Sequence, residues 1–139
     1  MTLTFGTDAW AAALVARINA SSEYRNAAAK WGDGWNGNVL LVFTADDALP
    51  STHALLVELA KGACRGASFV PGVAHPNAGF GLKAPFSVWK DVLSRKTLAA
   101  TAILTGKMAV EGDRITLLKH TAAHRALIAC AASLDTEFP

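Results

Sequence analysis

The sequence predicts an α+β domain, with a five-stranded, mostly antiparallel sheet covered on one face by helices. Three observations predict it. Five apolar segments, among them the β-branched and aromatic run Val39 to Phe43, are bounded by glycine, proline and other turn formers, which is strand chemistry. The first three runs follow one another through short turns, so they pair as hairpins. Segments with helical periodicity stand before and after this group rather than between every strand, which separates a helical layer from a sheet layer. At 139 residues, with 52% hydrophobic and 17% charged side chains, the chain fits one domain, residues 1–139, with a core of its own.

The elements follow in order. Thr7 is a helix N-cap, with Asp8 complementing the dipole in the first turn. Trp10, Ala13, Leu14, Arg17 and Ile18 then keep the spacing of one helical face. Asn19 to Ser22 interrupts that helix, and Ser21 or Ser22 caps a second one, from Glu23 to about Trp31, closed by Gly32-Asp-Gly34. Val39 to Phe43 is a buried strand. Ala45 to Ser51 is turn chemistry. His53 to Lys61 is the antiparallel partner, Gly62 breaks it, and Ala63 to Val70 is a third strand. A loop bracketed by Pro71-Gly72 and His75-Pro76 leads to a fourth strand, Ala78 to Ala84. Pro85 suits the first position of a helix with Phe86, Trp89, Val92 and Leu93 on its apolar side. A short helix near Thr97 to Leu104 follows. Gly106 to Gly112 is the fifth strand. Asp113 caps a long helix to about Ser133, whose apolar stripe shifts near His120 and predicts a bend or break there.

Composition excludes several classes. A net charge of +2 is too small for a nucleic-acid surface. Two cysteines, Cys64 and Cys130, make no disulfide framework, and with no targeting sequence at either end they predict a reduced, cytoplasmic protein. No apolar run approaches the roughly 20 residues that cross a bilayer. About a fifth of the chain is alanine. Such small side chains either let layers close together or leave room between them.

The second half resembles the sterol carrier protein family. The resemblance is carried by Phe80-Gly-Leu-Lys83 as a strand and by the helix Phe86-Ser-Val-Trp-Lys-Asp-Val-Leu93. Leu98-Ala-Ala-Thr-Ala-Ile-Leu104, Gly106-Lys-Met-Ala-Val-Glu-Gly-Asp113 and a helix entering directly from Asp113 then follow in the family's order. The first half is compatible, with a helix from Asp8-Ala-Trp10 and a strand hairpin after it. Two departures stand out: Ser94-Arg-Lys96 replaces a frequent glycine, and His75-Pro-Asn77 occupies a place where an acid is frequent. The resemblance implies an apolar tunnel between sheet and helices that takes fatty acids, acyl chains or sterols, with no catalytic residues of its own. Of these, acyl chains are the ligand class that the resemblance favours.

A carrier of that kind needs a surplus of apolar lining and few polar groups. The candidate ligand-binding residues are Phe69, Phe80, Leu82, Trp89, Leu93, Leu104, Met108, Val110 and Leu118, with Leu127 closing the end; each could equally be ordinary core. No cofactor and no catalytic residue is expected. Charge is uneven. Lys83 to Arg125 holds eight basic and three acidic residues, the rest five and eight. The basic half could meet a lipid carboxylate or anionic membrane heads near Lys83, Arg95 or Lys96, or could be a solvated face. His120 and His124 have the i, i+4 spacing of a metal pair, but the sequence offers no third ligand, and solvent-facing histidines are the expectation. Trp31 and Trp35, flanking a glycine turn, are expected to plug the junction of helices and sheet. Asp46 and Asp47 are read as turn formers. Two functions compete with carriage. One is a protein-interaction module or homodimer built on exposed apolar area. The other is a small α+β hydrolase or isomerase using Cys64, Ser68, Asn77 and the histidines.

Overall fold

The computed structural model describes residues 2–139. Its elements in chain order are β1 (Leu3–Thr4), α1 (Asp8–Ala20), α2 (Ser22–Ala27), β2 (Val39–Thr44), β3 (His53–Ala60), β4 (Ala63–Val70), β5 (Phe80–Pro85), α3 (Phe86–Leu93), α4 (Ala99–Leu104), β6 (Ala109–Glu111), α5 (Arg114–Lys119), α6 (Thr121–Ala132) and β7 (Thr136–Glu137).

The main sheet has the order β4-β3-β2-β5-β6. β2 pairs antiparallel with β3, β3 with β4, and β5 with β6, while β2 and β5 run parallel. The sheet is therefore mixed and open. A two-residue turn, Lys61-Gly62, joins β3 to β4 with φ of 52° and 82°, the positive pair that a type I′ hairpin turn requires. Gly62 meets a second demand: a Cβ there would lie 2.7 Å from the carbonyl oxygen of Arg25. The hairpin tip is thus seated under α2.

The parallel pair forces the chain to cross. β4 is an edge strand and β5 lies beyond β2, so residues 71–79 return over the face of the sheet opposite the helices. There Leu40, Val42, Ala54 and Leu56 form a small buried cluster with Val70 and Ala78 against it. Every residue of Val39–Phe43 is buried for this reason: Val39, Leu41 and Phe43 face the helical core and Leu40 and Val42 face the crossing loop.

The helical layer lies on the other face. Thr7 caps α1 by accepting the Trp10 N–H, and Ser21 caps α2 by accepting that of Tyr24. α1 buries Trp10, Ala11, Leu14 and Ile18, with each large side chain contributing about 2 kcal/mol. α6 packs against α1, α2, α3 and α4 and is the strut of the layer.

Boundaries differ from the sequence expectation in several places. α2 stops at Ala27, not near Trp31, because Ala28 leaves helical dihedrals (φ −104°, ψ 14°). The Trp31 indole is then turned inward to donate to the Gly37 carbonyl at 2.7 Å. Pro85 is not the first helical residue: it stays extended (ψ 151°) as the last residue of β5 and the N-cap of α3. It offers no side-chain cap, and Asp46 supplies one from the turn after β2, accepting the Ser87 N–H on Oδ2 at 2.7 Å. Its Oδ1 also accepts from Ala48 and Leu49, and these bonds, chiefly that from Ser87, hold the carboxyl below its ordinary pKa. α4 starts at Ala99 rather than Thr97, because Leu98 is extended. β6 is only three residues, matched to three partners on β5. The long C-terminal helix is broken at His120, whose φ −108° and ψ 39° end α5 and start α6. β1 and β7, unseen in the sequence, pair parallel and join the two ends of the chain. Phe5 after β1 is ringed by Trp10, Phe43, Phe69, Phe86 and Phe138.

Candidate functional site

Two neighbouring spaces adjoin α6. The larger is a groove of about 420 Å³ between α6, the start of α2 and the α3–α4 connection, bordered by Glu23, Val92, Arg95, Leu98, Ala99, Ala100, Thr121, His124, Arg125 and Ile128. The smaller is a void of about 20 Å³ between the helices and the sheet, lined by Tyr24, Trp31, Val39, Leu41, Leu59, Leu82, Leu117, Ala123 and Leu127. Ala99, His124 and Ile128 line both. These three side chains form the partition between a solvent-open groove and an apolar interior. The void alone has room for about one water molecule.

Helical spacing places the partition. His124 and Ile128 are one turn apart on α6, so they share a face. Ala99 approaches from the first residue of α4, where the short side chain lets the two helices come close.

The groove is polar at its rim, where the exposed side chains of Arg95, Arg125 and Glu23 stand. Its inner wall holds the one unusual polar group. His124 is 9% exposed, and neither Nδ1 nor Nε2 has a hydrogen-bond partner. Its ring meets Trp31 edge to face at 5.6 Å, and His120 meets the same indole at 5.3 Å. Burial, with a smaller repulsion from His120, lowers the pKa of His124 to about 4. The ring is therefore neutral at physiological pH. The expectation of solvent-facing histidines is corrected at this position: His124 shares a helical face with Leu127 and Ile128, and that face is turned to the core. Burial likewise pushes the Tyr24 phenol far above its ordinary value.

The candidate lining residues are scattered. Leu82 and Leu127 reach the void. Phe80 is buried against Trp31 at 5.0 Å. Trp89 packs on Phe43 at 4.6 Å and donates its indole N–H to the Val42 carbonyl. Met108 is fully buried, and Leu93, Val110 and Leu118 are half-buried at the edge of the core. Phe69 lies in the aromatic ring around Phe5 and Trp10. Leu104 is 65% exposed. Of the basic candidates, Arg95 borders the groove, while Lys83 borders a hollow on the opposite face of the sheet. Trp31 plugs the helix–sheet junction as expected; Trp35 meets it edge to face and stays exposed.

Ala99, His124, Ile128 and Tyr24 were missed as lining. One signal was available: His124 interrupts an otherwise apolar, alanine-rich stripe on α6. Ala99 carries no such signal, because alanine abounds in the chain.

Cys64, His53 and His75 lie on β4, on β3 and in the crossing loop. Cys64 is tied through its backbone N–H and carbonyl to Asn19, and burial raises its thiol pKa against the lowering effect of its bond to the Gly66 carbonyl. His53 packs on Phe5, and His75 accepts from the Asn77 N–H in the crossing loop. Among the described residues no three His, Cys, Asp or Glu side chains come together at metal-binding distance. No helix of the described residues is long and apolar enough to cross a membrane.

No family model and no curated protein matches the chain. Solved structures do. The chain is similar to a crystal structure of sterol carrier protein 2, at 30% identity and a TM-score of 0.79, over 92% of this chain and 97% of that one. It is also similar to a conserved hypothetical protein of Thermus thermophilus, described as possibly sterol carrier protein, at 30% identity and a TM-score of 0.80, over 94% and 90%. The apo form of sterol carrier protein 2 from Yarrowia lipolytica shares the fold at 16% identity and a TM-score of 0.56, over 88% of each chain.

Proposed function

The chain belongs to the sterol carrier protein 2 family, and from that premise we propose that it binds a long-chain lipid and carries it chemically unchanged. The observation that carries the reading is the wall of three side chains, Ala99, His124 and Ile128, that the 420 Å³ groove shares with the apolar void under the helices. An acyl chain laid along the groove would push past this partition and leave water for the space between α6 and the sheet. Each buried CH₂ then contributes about 0.8 kcal/mol. The polar end would stay at the level of the groove.

Widening the void requires one wall to give way. α4 is the weakest wall: it has six residues, and its N-cap, Leu98, makes no side-chain hydrogen bond. The His75 loop, on the far side of the sheet, is not in the path. Around α4 the surface is apolar and basic together. Leu98 and Leu104 are 51% and 65% exposed, and Ile115 is 69% exposed. Arg95, Lys96 and Lys107 stand beside them in the chain, and Arg114 donates to the Ile103 carbonyl at the end of α4. This patch suits loading from an anionic lipid surface. Two free, buried cysteines accord with a cytoplasmic location.

Native mass spectrometry of the purified protein, followed by organic extraction, tests the reading. A discrete added mass that extracts as a lipid is expected. Ala99→Trp, which fills the partition from a half-buried position, should remove the added mass while the protein stays folded. Wild-type protein that takes up no lipid from any vesicle offered would overturn it.

A further inference from the structure

We propose that His124 reads the polar end of the ligand and selects a long-chain lipid whose head is an uncharged hydroxyl. The inference rests on the carrier reading and narrows it. Buried polar atoms almost always have partners. His124 breaks that rule with both ring nitrogens at once, at the point where groove and void meet. An apolar residue would fill the position without leaving a donor and an acceptor unmet.

The chemistry of the ring chooses the partner. A neutral imidazole presents one N–H and one bare nitrogen. A hydroxyl also offers one donor and lone pairs, so it can accept from the N–H or donate to the bare nitrogen, whichever the ring turns towards it. A carboxylate only accepts. It would bind a protonated ring best, and the surroundings oppose protonation. His120 meets the same indole one turn earlier, and Arg95 and Arg125 border the groove, with Glu23 the one acid there. Tyr24, on the void side, is neutral. A carboxylate would also give up its water to enter, whereas at the rim it could keep both its water and the two guanidinium groups. The hydroxyl is the head that gains most at the depth of His124.

The test compares three probes of one chain length, 1-dodecanol, dodecanoate and dodecane, against the full chain at pH 7.5. Affinities come from isothermal titration, and the His124 ring is followed by proton–carbon NMR. Wild type should bind dodecanol about five- to tenfold more tightly than either other probe, the scale of one neutral hydrogen bond. The His124 ring resonances should move with dodecanol. His124→Leu should bind dodecanol and dodecane alike, and His124→Gln, which keeps a donor and an acceptor, should retain most of the preference. Wild-type preference for dodecanoate, an unmoved His124 ring at saturating dodecanol, or an intact alcohol preference in His124→Leu would each overturn the assignment and leave the carrier reading standing. No binding of any probe to wild type would overturn both.

Discussion

Acidification should destabilise this protein through His124, and replacing that residue with leucine should remove the effect. The ring is 9% exposed and unpaired, and its pKa falls from 6.5 to about 4 in the folded state. Between those values the unfolded chain binds a proton that the folded chain refuses. Stability therefore rises with pH across this window and is lost as pH falls from about 6.5 towards about 4. At about 1.4 kcal/mol per pH unit within it, going from pH 8 to pH 4.5 costs about 2.5 kcal/mol. The carboxylates held below their ordinary pKa, Asp46 and Asp113, lose their share at lower pH, and they are common to both proteins. The other groups around the ring, His120, Glu23, Tyr24, Arg95 and Arg125, are also common to both. The assay is urea unfolding of wild type and His124→Leu at a series of pH values. The variant should be more stable at pH 7 by about 1–3 kcal/mol, since an unpaired buried polar group is gone. Its advantage should grow by about a further 2.5 kcal/mol at pH 4.5. Parallel pH profiles for the two proteins would refute the reasoning.

Other outcomes follow from the same geometry. Gly62→Ala should destabilise by about 2–3 kcal/mol in urea unfolding, because the new methyl meets the Arg25 carbonyl at 2.7 Å on a φ of +82°. Asp46→Ala should lower the melting temperature more than Asp46→Asn does, since asparagine keeps the Oδ1 acceptor for Ala48 and Leu49. In vesicle flotation, anionic vesicles should retain the protein and neutral ones should not, and Leu104→Asp should abolish retention without loss of fold.

Periodicity and turn chemistry determined much of the architecture before any coordinates. Five strand segments were legible because apolar runs, alternating in Ala78 to Ala84 and continuous in Val39 to Phe43, are set off by glycine and proline. The caps at Thr7, Ser21 and Asp113 were legible because capping is a contact between residues close in sequence. The break at His120 showed as a shift of the apolar stripe, and the order of segments from Phe80 to Asp113 carried the family resemblance. What only the tertiary structure decided depends on contacts between residues distant in the chain. The parallel pairing of β2 with β5, and the loop that covers the outer face, arise from strand order, which no local pattern encodes. The cap that Asp46 gives to α3 spans 41 residues. β1 and β7 are too short to show any period, and only their mutual pairing makes them strands. The candidate site was the least legible part. Whether a hydrophobic residue fills a core or lines a space is set by what stands opposite, so Leu82 lines the void while Met108 lies buried outside its lining. His124 looked like a surface residue for the same reason: its composition is polar, and only the packing of α6 against Trp31 takes it out of water.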